Sequence, residues 1–165
     1  MVINVSNGEI KLDDCAMVVH SGLTPEQFAA GNFKGVKHHD ADKNGYVRHA
    51  FHGNLDHLQA SFWIYFRFGK LQQLHLSFSD TEKLSIKDAE QWMNDWLQRL
   101  IGQPPPYEYN WGCISAGTHP KTDQTMIKVS YRDSILNLGF KDVETYYGHI
   151  GYERERSARL RSQQS

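Results

Sequence analysis

Two cysteines, five prolines and no long apolar run are what this sequence has in short supply. Cys15 and Cys113 are too few for a disulfide scaffold, and 165 residues can bury a core without one. The expectation is therefore two thiols in a reducing compartment. The longest apolar-rich stretch, Ser61 to Phe68, falls far short of the ~20 residues that a membrane-spanning helix needs. The first residues, MVINVSNGEIKLDD, are polar and alternating rather than signal-like. We therefore expect no membrane association and a cytoplasmic location. Charge of one sign is also missing. Eighteen basic and nineteen acidic side chains leave a formal charge of −1, so nothing attracts nucleic acid in bulk. What the chain does have is aromatics, at 12%, and nine histidines, five of them between His38 and His57.

The patterning predicts an α+β domain. Val2 to Val5 and Glu9 to Leu12 alternate around Asn7-Gly8, a hairpin signal whose turn residues both require positive φ. Thr24, Pro25 and Gln27 form a capping box with proline at the first helical position, and Gly31 closes that short helix. Gly35 to Asn44 reads as a polar loop. Tyr46 to Phe51 reads as a strand with His52 at its end. Leu58, Ala60, Phe62, Ile64 and Phe66 alternate with Gln59, Ser61, Trp63, Tyr65 and Arg67. After a turn at Phe68-Gly69-Lys70, Leu74, Leu76 and Phe78 alternate with Gln73, His75 and Ser77. A period of two over so many positions predicts antiparallel sheet with one buried face.

Ser85 and Asp88 open the main helix. Its buried stripe would be Ile86, Ala89, Met93, Trp96, Leu97 and Leu100. Gly102 and Pro104-Pro105-Pro106 stop it. A second hairpin is expected from Trp111–Ala116 and Thr125–Arg132. These elements make a single domain over residues 1–140, an antiparallel sheet with one amphipathic helix on its apolar face. Residues 141–165 would form a helical, charged C-terminal extension.

Several sites invite chemistry and lose it on inspection. Asp40-Ala41-Asp42-Lys43-Asn44-Gly45 opens like a calcium loop, but the twelfth position is Phe51 rather than glutamate and the ninth is Arg48. A polar turn explains the same letters. The cluster His38, His39, His49, His52 and His57, with Asp40, Asp42 and Asp56 nearby, would need three or four ligands converging on zinc. Adjacent histidines in a strand point to opposite faces, and His49 and His52 share no face of a strand. Cys113 with His119, and Ser115 beside them, offers a nucleophile and a base, but on a strand and in the following turn. Asp13 and Asp14 beside Cys15 would raise its pKa. A small hydrolase or metal-binding protein built on the histidine cluster or Cys113 is the alternative reading, while the leading expectation includes neither cofactor nor metal.

Trp63, Tyr65 and Arg67 share the polar face of one strand, with His75 across the hairpin. Such a face can stack bases, but no basic stripe joins it. Aromatics and arginine also dominate protein interfaces. The expected partner-binding residues are Trp63, Tyr65, Arg67 and Trp111, and the expected partner is a protein.

Certain segments also carry a resemblance. They are Asn7-Gly8-Glu9-Ile10-Lys11-Leu12, Leu23-Thr24-Pro25-Glu26-Gln27-Phe28, the aromatic hairpin closing on Gly69-Lys70-Leu71, the helix with Trp92 and Trp96-Leu97, and Tyr109-Asn110-Trp111-Gly112-Cys113-Ile114-Ser115. Over roughly residues 1–132 the chain resembles a loose group of small bacterial proteins of uncharacterised function. Some of these look like cytosolic immunity proteins, which neutralise a toxin from a neighbouring cell. The resemblance implies a non-enzymatic interaction protein, and it carries over no catalytic residue.

Overall fold

Leu58 to Arg67 alternate apolar and polar side chains without a proline or an internal glycine, and they form a ten-residue strand. In the computed structural model, which describes residues 2–12, 17–31, 38–41, 46–55, 57–67, 69–119 and 122–131, this strand lies inside a seven-stranded antiparallel sheet. Chain order gives β1 (Val2–Asn4), β2 (Glu9–Lys11), β3 (Val18–Val19), α1 (Pro25–Ala30), β4 (His38–Ala41), β5 (Tyr46–Leu55), β6 (Leu58–Arg67), β7 (Lys70–Phe78), α2 (Ile86–Ile101), β8 (Tyr107–Tyr109), β9 (Gly112–Thr118) and β10 (Thr125–Tyr131). The large sheet runs β4-β5-β6-β7-β10-β9-β8, and β1-β2-β3 form a second, small antiparallel sheet. The expected α+β class is what the molecule has. The expected C-terminal extension at 141–165 lies outside the described residues.

Register fixes what each face carries. His49, Ile64, Leu74, Val129, Ile114 and Tyr107 stand opposite one another across six strands. Phe51, Phe62, Leu76, Ile127 and Ala116 form the next row. Most of these side chains are buried together in one core. Both helices cover this face. Phe28 of α1 packs on Phe51 and Phe66 with ring centroids 5.7 and 5.9 Å apart. Trp92 and Trp96 of α2 pack on Phe78 at 5.2 and 5.0 Å.

The helix ends follow the sequence closely. The Thr24 hydroxyl accepts from the Gln27 N–H while the Gln27 side chain accepts from the Thr24 N–H. The Ser85 hydroxyl accepts from the Asp88 N–H, and Gly102 closes α2 in the left-handed conformation at φ 80°. Ala89, Met93, Trp96 and Leu97 are buried as expected and Leu100 partly so, but Ile86 is 47% exposed. The first turn of α2 leaves this apolar position largely open to solvent.

Four further expectations need correction. Residues 38–41 are a strand rather than loop, because pairing with β5 satisfies the backbone whatever the side chains. The strand expected to end near His52 runs on to Leu55. The first hairpin turns through four residues rather than on Asn7-Gly8 alone. The N–H groups of Asn7 and Gly8 both donate to the Asn4 carbonyl, and of the two only Gly8 has positive φ, 74°. A Cβ at Gly8 would collide with the Trp111 ring. Finally, beyond the exposed Lys70 at its start, the polar residues of β7 are buried along with the apolar ones.

Candidate functional site

The face of the large sheet opposite the helices is built from polar residues. Ala50, Trp63, His75, Lys128 and Ser115 form one cross-strand row, and Arg48, Tyr65, Gln73, Ser130 and Cys113 form the next. A bulge at the Tyr65/Phe66 step, where Gln72 is the extra residue, lies just beyond the second row. Gln73, His75 and Ser130 are buried and chained together. His75 Nε2 lies 2.9 Å from the side-chain oxygen Oε1 of Gln73. The Gln73 amide then donates to Ser130 Oγ at 3.2 Å. The Tyr65 ring lies against the imidazole at 4.6 Å. Burial, reinforced by the nearby charges of Lys128 and His119, pushes the His75 pKa down to about 3. It is thus a neutral imidazole at physiological pH, and burial also lowers the Lys128 pKa.

The four expected partner-binding residues fall in different settings. Trp63 and Tyr65 are half-buried on this polar face, and Arg67 farther along the same strand is buried. Trp111 is elsewhere, at the β8–β9 turn. It is 7% exposed, stacks on Tyr109 at 5.2 Å and touches Tyr131 at 5.7 Å. Its indole N–H donates to the Val5 carbonyl at 2.8 Å, tying the N-terminal hairpin to the main sheet.

The histidines separate. His49 is buried on the apolar face, its ring 4.9 Å from Phe28 and 6.0 Å from Phe66. His52 points to the other face, where Nδ1 pairs with Ser61 Oγ at 2.9 Å. His57 occupies the exposed turn between β5 and β6 at φ 66°. His38, His39 and Asp40 lie on β4, whereas Asp42 and Asp56 fall outside the described residues. Among the described residues, no three His, Cys, Asp or Glu side chains come together as a metal site. Cys113 is half-buried opposite Ser130 in β9, and His119 follows the far end of that strand. The extended strand spaces the two by about 20 Å.

One concave feature was not foreseen. A cleft of about 220 Å³ opens where β7 runs into α2, beside the β9–β10 loop. Phe78, Ala89 and Thr125 line it together with exposed Glu82 and Asp123. Leu84 and Ile86, 42% and 47% exposed, stand at its edge. The sequence did hold a signal. Leu84 precedes the Ser85 cap, the place of a hydrophobic staple, but the residue that should receive it is Ala89, which is too short to cover a leucine. The walls are braced by Thr81 Oγ1 donating to the Phe78 carbonyl at 2.7 Å and by Gln124 Nε2 donating to Ser77 Oγ at 3.2 Å.

Among the described residues, these features make an α+β protein with a partly buried polar sheet face and an acidic, apolar-edged cleft. No protein-family model matches the chain, and no curated protein matches it. Its fold is similar to that of a chain in the solved structure of Rhs1-CT in complex with cognate immunity protein RhsI1. The TM-score is 0.56 at 14% identity, over 95% of this chain and 98% of that one. No helix among the described residues is long and apolar enough to cross a membrane.

Proposed function

We propose that this chain is a bacterial immunity protein, which binds a toxin inside the cell that makes it and blocks the toxin by occlusion. The supporting observation is the likeness in fold, over nearly the full length of both chains, to a member of a complex between an immunity protein and its cognate partner. The near-neutral charge and the aromatic content fit a protein partner better than a nucleic acid. Of the expected binding set, Trp63 and Tyr65 are half-buried on the polar face, and Arg67 and Trp111 are buried.

The test uses the product of the adjacent reading frame. Co-expression should rescue growth of a host carrying that product, and the two purified proteins should form a stoichiometric complex by size-exclusion chromatography. Growth arrest despite co-expression, with no complex formed, would overturn the proposal.

A further inference from the structure

We propose that the cleft at the start of α2 is where the partner docks, and that it receives an arginine or lysine side chain presented beside an apolar residue. This rests on the immunity reading and adds a place and a chemistry to it.

Size argues first. Pockets for small molecules commonly enclose about 300–1,000 Å³. At about 220 Å³ this cleft is too small for most such ligands, and it suits one anchoring side chain from a protein. Its edge argues second. Leu84 and Ile86 are the two most exposed large hydrophobics among the described residues, and they sit side by side across the Ser85 cap. An apolar pair left open next to a cleft is costly in water and gains when a partner covers it.

Charge argues third. Among the described residues, Glu82 and Asp123 are the ionisable ones lining the cleft, and no basic one does. Lys83 and Lys87 are exposed on the same segment but are not part of the wall. A long cationic side chain fits both chemistries at once. Its methylenes lie on Leu84, Ile86 and Phe78 while its head group reaches the carboxylates. The N-terminal end of α2 would normally repel a cation. Here the Ser85 hydroxyl accepts from the Asp88 N–H, and the Asp88 carboxylate in the first turn offsets the helix dipole. Thr118 Oγ1 donates to Glu90 Oε1 at 2.6 Å and joins β9 to α2.

The experiment is titration calorimetry of the purified adjacent-frame product with the full chain and three variants. Leu84→Ser/Ile86→Ser removes the apolar edge. Glu82→Lys/Asp123→Asn reverses the charge, asparagine being chosen because Asp123 sits at φ 52°. Trp63→Ala alters the opposite face and should bind within twofold of wild type; loss of binding there with both cleft variants unaffected would move the docking site to that face and overturn the proposal. Circular dichroism and thermal melts confirm that each variant is folded. We expect both cleft variants to weaken binding by about tenfold or more, and the charge variant to flatten the salt dependence seen with wild type. Wild-type binding with cleft variants within twofold of it would overturn the docking site and leave the immunity reading standing. Failure of wild type itself to bind would overturn both. Cleft variants that change only self-association, seen by sedimentation, would replace the partner with a second copy of this chain and overturn the proposal.

Discussion

The two faces of the large sheet bury side chains by opposite means. On the helix-covered face Ile64, Leu74, Leu76 and Val129 meet other apolar groups, and the gain comes from removing hydrocarbon from water. On the other face Gln73, His75 and Ser130 are equally hidden, and each polar atom taken from water must be given a partner. The first face tolerates imprecise fit at moderate cost. The second specifies one arrangement, because a donor moved out of place is left unsatisfied. Lys128, half-buried beside His75, marks where this face begins to meet solvent.

Substitution on the apolar side should cost most. Phe62→Ala removes a buried ring stacked on Phe51 at 4.8 Å and should lower unfolding free energy by about 3–5 kcal/mol in urea titrations. On the polar side the largest effect should be in pH. An unfolded chain protonates histidine near pH 6.5, whereas folded His75 resists protonation until about pH 3. Between these values the unfolded state binds more protons, so stability is lost as pH falls through that window. The loss from this residue should amount to about 2 kcal/mol between pH 6.5 and pH 5. His75→Gln should flatten the slope there, and an unchanged slope would show that His75 does not carry it. Ser130→Ala should cost least, about 1 kcal/mol, since it removes one hydrogen bond to the Gln73 amide.

Local signals were the legible part of the sequence. The Thr24-Pro25-Gln27 box, the Ser85 cap, the Gly102 stop and the alternation along β6 each depend on residues close together in the chain, and each formed where the letters placed it. What escaped depends on distant neighbours. Strand β4 owes its backbone pairing to β5, which no propensity of His38-His39-Asp40-Ala41 announces. The burial of Gln73 and His75 needs neighbours on other strands, so alternation assigned them to solvent. Ile86 fits the helical period and is nevertheless exposed, since periodicity says which side of a helix a residue is on but not where the sheet beneath it stops. The candidate site suffered most. Its cleft joins residues of β7, α2 and the β9–β10 loop, a conjunction with no linear signature.

The order of strands in the large sheet carries a further consequence. β4 through β7 pair in sequence, each with its immediate predecessor, and so do β8 through β10. A single ladder, β7 with β10, stitches the two series together, and its Gln73 and Ser130 are 57 residues apart in the chain. Each series can zip from nearby turns at small entropic expense, but the stitch must close a long loop that includes all of α2. It is the slow, non-local event in assembly. The aromatic pair Trp92 and Trp96, brought onto Phe78 beside that seam, therefore offers a fluorescence signal for the moment at which two preformed ribbons become one sheet.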